Sequence, residues 1–200
     1  MGLDENIYRA VHSMYGKSAI FDFFMLLFEL HLLRYLLLGL LLSIWLTRNP
    51  NLQRGALVAL ASVATSVALR PIFKSLMYRP RPWIYEGCPG LAPCYPDSSF
   101  PSGHLFMAAA MTVALWRADR RAGIAMAVIS CCIGVSRIYL GEHWPSDLLV
   151  GALLGGLTGY GLSLLLERQP FANMLDRALA LANRLHLPRK QREAAHVQVV

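Results

Sequence analysis

The sequence is short of charge. Only 16% of its 200 residues are Asp, Glu, Lys or Arg, against roughly 25% in soluble domains. A water-soluble globule of this length needs more polar surface than that. Acidic residues are the scarcer kind, 12 against 19 Lys and Arg, which leaves a net charge of +7. Metal-ligand patterns are absent: there is no His-x-x-x-His, no carboxylate cluster and no CxxC pair. No Walker-type loop is present. No basic helix face or aromatic-basic alternation occurs, so nucleic acid is not an expected partner. The first residues carry Asp4 and Glu5 rather than a basic, then apolar, leader, so no cleavable signal peptide is expected. No repeat of 20 to 50 residues stands out. Cysteine is limited to four. Cys131 and Cys132 sit in an apolar stretch as small hydrophobes. Cys88 and Cys94 flank a Pro-Gly-rich loop, where they either close a small ring in an oxidising compartment or stay as two thiols.

What the sequence has is apolar length. With 56% hydrophobic residues and a mean hydropathy of +0.43, composition places it among membrane proteins, and the expected fold is an all-α polytopic membrane bundle. Residues 1–17 read as an amphipathic lead-in lying at the interface, with Ile7, Tyr8, Val11 and Met14 near helical spacing. Residues 18–47 are apolar but interrupted by Asp22, Glu29, His31 and Arg34, and read as two short helices hinged near Leu30-His31. Asp22 and Glu29 must then point inward or toward water. Further spans are expected at 55–73, 103–116, 122–140 and 147–166. Gly151, Gly155 and Gly159, four apart, form a packing seam on the last. The basic turns at 48–54 and 117–121 and the basic tail at 167–200, with a helix near 172–185, are assigned to the cytoplasm by the positive-inside rule. The core thus covers 18–166 in six transmembrane helices, with both termini cytoplasmic; were 18–47 a single span, the five spans would put the N-terminus outside. The loops at 74–101 and 141–146 share the opposite face.

Three segments on that face carry chemistry. Lys74 through Arg79-Pro80-Arg81-Pro82 supplies a mobile ammonium and planar guanidinium forks on a backbone stiffened by proline. The bland alternative is cations snorkelling to lipid head groups. Phe100-Pro101-Ser102-Gly103-His104 places an N-cap at a helix start, where free amides and the positive dipole end suit an oxyanion. Gly103 lets a phosphate approach the backbone, and His104 can give a proton to a leaving oxygen. The bland alternative is a plain helix cap. Finally, Arg137 precedes His143 by six residues, and Asp147 follows it by four. Asp147 can accept from one ring nitrogen and leave the other to attack a phosphate gripped by Arg137. An incidental salt bridge at a helix entry is the alternative here. Cations and a helix dipole would neutralise charge without a metal.

On these residues the chain resembles the type 2 phosphatidic acid phosphatase family of membrane phosphatases, relatives of the vanadium haloperoxidases. The resemblance implies a six-helix bundle with no cofactor. It implies that His143 forms a phosphohistidine, that His104 is the general acid and that Asp147 orients His143. Lys74, Arg81, Ser102, Gly103 and Arg137 would bind phosphate. Tyr78, Arg79 and Glu142 lie between motif positions and receive no role. The Tyr78-Arg79-Pro80-Arg81-Pro82 run resembles the bacterial undecaprenyl diphosphate phosphatases of the family, which implies a role in cell-wall biogenesis at the inner membrane with a periplasmic site. Gly103 is instead the general family residue, where that subgroup often has aspartate. Phosphatidylglycerophosphate, phosphatidic acid and lipid A therefore stay open as substrates. A lipid phosphotransferase and a non-enzymatic transporter, with Asp22 and Glu29 lining a path, are the readings of other classes. Lipid is the expected partner, and oligomeric state stays open.

Overall fold

The structure is a computed structural model that describes residues 2–186 except 31, 48, 89–93, 95 and 170. Among the described residues there are nine α-helices and no strand: α1 (Leu3–His12), α2 (Ala19–Leu30), α3 (Leu32–Leu46), α4 (Pro50–Leu76), α5 (Trp83–Glu86), α6 (Gly103–Ala118), α7 (Arg120–Tyr139), α8 (Pro145–Glu167) and α9 (Phe171–His186).

The bundle is built around α6. Its residues Phe106, Ala108, Met111 and Ala114 are almost wholly buried, walled in by α4, α7 and α8. At 16 residues it spans about 24 Å, short of a hydrocarbon core of roughly 30 Å. Its neighbours make up the length: α4, α7 and α8 run 27, 20 and 23 residues and are long and apolar enough to cross a membrane. The glycine seam of α8 lets it press on α6. A Cβ at Gly155 would stand 2.1 Å from the Phe106 carbonyl oxygen, and one at Gly151 2.5 Å from that of Ser102. On the opposite side of α8, Leu149, Leu153 and Leu157 are 72%, 63% and 61% exposed. A helix with glycine inward and leucine outward is solvated by lipid chains, not by water.

Side-chain ties define the two ends of the bundle. At one end, Asn49 caps α4 by accepting from Asn51 N at 3.0 Å, Gln53 donates to the Thr47 carbonyl at 3.0 Å, and Arg54 pairs with Asp176 of α9. Arg117 and Glu167 pair there too, at 2.7 Å. At the other end, Tyr139 donates to Asp22 at the start of α2, and His12 Nδ1 meets the Tyr139 carbonyl at 2.7 Å.

These ties set the course of the chain. The chain enters α2 at the Tyr139 end and leaves α3 at the Gln53 end, so residues 19–46 pass once along the bundle as a broken pair. They are not two crossings. Consequently α1 and α9 lie at opposite ends of the bundle; the all-helical membrane fold holds, and three of the described helices are long and apolar enough to cross singly. Length explains the broken pair: two pieces of 12 and 15 residues are each too short to cross, but together make one full pass. Within the N-terminal lead-in, α1 packs on the bundle, with Tyr8 only 1% exposed. Asp22 points inward, accepting from Tyr139 and from Gly16 N. The Glu29 side chain, His31 at the hinge and the tail beyond residue 186 lie outside the described residues.

Candidate active site

The three chemical segments meet at the α1 end, and backbone bonds lock them together. Ser99 N donates to the Arg79 carbonyl at 2.8 Å, joining the first to the second. Ser102 N donates to the Asp147 carbonyl at 3.1 Å, joining the second to the third. Trp144 Nε1 donates to the Pro80 carbonyl at 3.0 Å and closes the ring. Gly141 turns the chain out of α7 at φ 74°, a left-handed conformation that favours glycine. Glu142 N and His143 N then donate back to the Arg137 carbonyl at 3.0 and 3.3 Å, which seats His143 beside its own arginine.

Around His143 lies a cavity of about 540 Å³ lined by Arg70, Arg81, Pro96, Asp97, Gly103, His104, Arg137, Glu142 and His143. Of the eight residues expected in the site, five line this cavity. Lys74 reaches its edge through Asp97, and Ser102 and Asp147 stand behind it, both fully buried. Ser102 occupies the N-cap position of α6, but its hydroxyl caps nothing and finds no hydrogen-bond partner among the described residues. A buried hydroxyl without a partner is costly and suits a ligand's oxygen. Among the described residues no three His, Cys, Asp or Glu side chains gather as a metal site. Cys88 and Cys94 are joined by a disulfide, Cα–Cα 6.1 Å, in the loop that follows α5.

His143 is 3% exposed. Burial, and next to it the charges of Arg81 and Arg137, push its imidazole down to about 4, against the pull of Asp147. The ring is therefore neutral at pH 7 and can act as a nucleophile. Its Nδ1 lies 3.7 Å from Asp147 Oδ2, longer than a hydrogen bond, and has no hydrogen-bond partner among the described residues. Asp147 is held by others meanwhile: Oδ2 accepts from Trp144 N at 2.9 Å and Oδ1 from Arg79 at 2.7 Å. The acid is preset, and a shift of less than about 1 Å brings it onto the imidazole. His104 Nδ1 touches the Arg137 guanidinium. Arginine only donates, so that nitrogen accepts, and the neutral ring of His104 carries its proton on Nε2.

Four residues outside the expected set also belong here. Arg79 bridges Asp147, Ser146 at 2.6 Å and Asp4 of α1 at 2.6 Å. Asp4 also accepts from Ser146 N at 2.8 Å and Oγ at 2.7 Å. Asp97 accepts from Lys74 and, at 2.6 Å, from Arg81. Burial works against its charge, but the Lys74 hydrogen bond and the Arg81 charge hold its carboxyl below the usual range. Glu142 pairs with Arg81 in the buried interior. Alternating Arg-Pro-Arg-Pro contained Arg79 in plain view, but spacing alone could not say which arginine faces phosphate and which faces acid. Asp4 gave no signal, because its partner lies 142 residues away.

Comparison with known proteins fits this geometry. The chain is 28% identical over 188 residues to undecaprenyl-diphosphatase BcrC of Bacillus subtilis, covering 92% of this chain and 95% of that one. It is 35% identical over 133 residues to the decaprenylphosphoryl-5-phosphoribose phosphatase of Mycobacterium tuberculosis, covering 64% and 70% of the two chains. Its fold matches the crystal structure of Aquifex aeolicus LpxE with a TM-score of 0.60 at 26% identity, over 82% of this chain and 96% of that one. Residues 55–170, more than half of the chain and the stretch that contains all three segments, match the model of one family. The chain belongs to the PAP2 superfamily.

Proposed function

We propose that the protein is an integral membrane phosphatase that releases phosphate from a lipid phosphate or diphosphate by way of a phosphohistidine. The carrying observation is the single cavity in which a neutral buried imidazole, a second imidazole and the guanidinium groups of Arg81 and Arg137 converge. Phosphate enters among Lys74, Arg81 and Arg137, displacing Asp97 from the first two, while the Ser102 hydroxyl and the amides that open α6 take its remaining oxygens. Arg137 turns from His104 to the phosphate and frees Nδ1, so that the ring can hold the second proton that a general acid gives away. His143 Nε2 then forms a bond to phosphorus as the bond to the lipid oxygen breaks, and His104 delivers its proton to that oxygen. Asp147 closes on Nδ1 of the phosphorylated ring. A water molecule next attacks phosphorus, His104 takes its proton, the P–N bond breaks and inorganic phosphate leaves. Charge is carried by side chains and helix amides, with no metal in the cycle.

The similarity to the undecaprenyl-diphosphatase over nearly the whole of both chains favours undecaprenyl diphosphate as substrate. With the basic turns cytoplasmic, the site and α1 face the periplasm, α9 faces the cytoplasm, and the chain crosses the inner membrane five times. The test is His143→Ala, measured by phosphate release from prenyl diphosphate in detergent. Turnover should vanish; turnover like that of the parent protein would refute the mechanism.

A further inference from the structure

Arg70 lies on α4 one turn before Lys74, about 6 Å deeper along the bundle by helix rise. It nonetheless lines the cavity shared by His104 and His143. Its guanidinium rests over the start of α6, where a Cβ at Gly103 would come within 2.8 Å of Arg70 Nε. Among the described residues that guanidinium makes no side-chain hydrogen bond, and its nearest carboxylate oxygen, on Asp97, is 3.8 Å away. An arginine in a membrane-crossing helix is expensive and is kept where it has a polar partner. Among the described residues its one carboxylate neighbour is that distant Asp97, whose same oxygen is already bonded to Lys74.

The transferred phosphate uses His143, Lys74, Arg137, Arg81 and the α6 start, and Arg70 reaches the same cavity from one helix turn farther along α4. The Arg70 backbone is set toward the interior of the bilayer by helix rise, the direction from which a lipid tail arrives, and its guanidinium reaches up to the α6 start. A diphosphate ester held with its terminal phosphate at His143 presents its second phosphate, the one bonded to the lipid, on that inner side. A cavity of about 540 Å³ is ample for both groups. One Asp97 oxygen faces both Arg70 and Lys74, so an anion in its place lies between the two cations.

We infer that Arg70 anchors the lipid-side phosphate of a diphosphate and selects diphosphate esters over monoesters. The inference rests on the phosphatase reading above and adds to it the residue that sets the preference for diphosphates. It also gives Gly103 a second reason: any side chain there would push Arg70 aside.

The test uses the full-length protein in detergent with farnesyl diphosphate and farnesyl phosphate as paired substrates. Arg70→Gln should lower the ratio of kcat/KM for diphosphate over monoester by roughly tenfold or more, the size of a lost charge-assisted contact. Arg70→Lys should restore part of that ratio. An unchanged ratio, with both substrates slowed equally or neither slowed, would overturn the assignment. A binding measurement separates this from the mechanism. Inorganic pyrophosphate should bind the parent protein more tightly than inorganic phosphate, and Arg70→Gln should erase that preference. If neither lipid is hydrolysed by the parent protein, the phosphatase reading falls, and the pyrophosphate preference still decides the role of Arg70.

Discussion

Replacing Arg79 by Gln should weaken the protein and alter the titration of a residue that Arg79 does not touch. Asp147 is 0% exposed and depends on Arg79 for the charge-assisted bond to Oδ1. Losing one partner of a fully buried pair costs about 3 to 5 kcal/mol. Arg79 is 30% exposed, so water replaces part of the loss, and roughly 2 kcal/mol is expected. The same change releases Asp4 and with it the anchor of α1. The second effect is electrostatic. His143 faces Arg81, Arg137 and Asp147, and burial keeps it neutral down to about 4. Without Arg79, Asp147 retains only Trp144 N and turns its uncompensated charge on the imidazole. A carboxylate at that range favours the protonated ring, so the His143 titration should rise by roughly one to two units. Histidine-selective 15N labelling, with His143→Gln to assign the signal, reads the shift, and chemical unfolding reads the stability. A loss of stability with an unmoved His143 titration would refute the view that Arg79 holds Asp147 in check.

Other expectations follow from the same geometry. Asp97→Asn removes the carboxylate that competes for Lys74 and Arg81, so inorganic phosphate should inhibit severalfold more strongly as a product; unchanged product inhibition would mean that Asp97 does not vacate the site. Because His143 has a folded value below the ordinary 6.5, its contribution is complete above pH 6.5 and is lost as pH falls toward 4. It amounts to roughly 3 kcal/mol, and urea unfolding across that window should show a drop that His143→Gln flattens. Gly155→Ala drives a Cβ into the Phe106 carbonyl at 2.1 Å and should destabilise by about 2 kcal/mol or more, whereas Gly161→Ala, with open space around it, should be neutral or slightly stabilising. Phosphatase activity should survive EDTA; loss on chelation with recovery on adding a divalent ion would show that a metal had been overlooked.

Much of the candidate site's grouping was legible because its residues are local in sequence. Ser102-Gly103-His104 sit at one helix start, and Arg137, His143 and Asp147 fall within one helix end, one turn and the next helix start. The glycine seam of α8 was legible for the same reason: period four on a helix is a face. What the sequence did not carry was compensation over distance. Asp4, Arg79 and Asp147 come from three separate elements, and the bond between them depends on how α1 docks, which no periodicity encodes. The topology stayed open on length: two apolar pieces with polar residues between them look like a hairpin or like one broken pass, and the ties of Asp22 and Gln53 to opposite ends favour the single pass. Arg70 was hidden inside an apolar run, where a lone cation reads as an interruption of the span.

The central claim is that phosphate passes through a covalent bond to His143. Mixing the protein with farnesyl phosphate carrying 32P, quenching in alkali within milliseconds and mapping the peptides tests it most directly. The expected result is label on the peptide containing His143, in a form stable to alkali and lost in acid, absent from His143→Ala and enriched in variants that slow the attack of water. Steady turnover with no label on protein, or label that persists in His143→Ala, would contradict it.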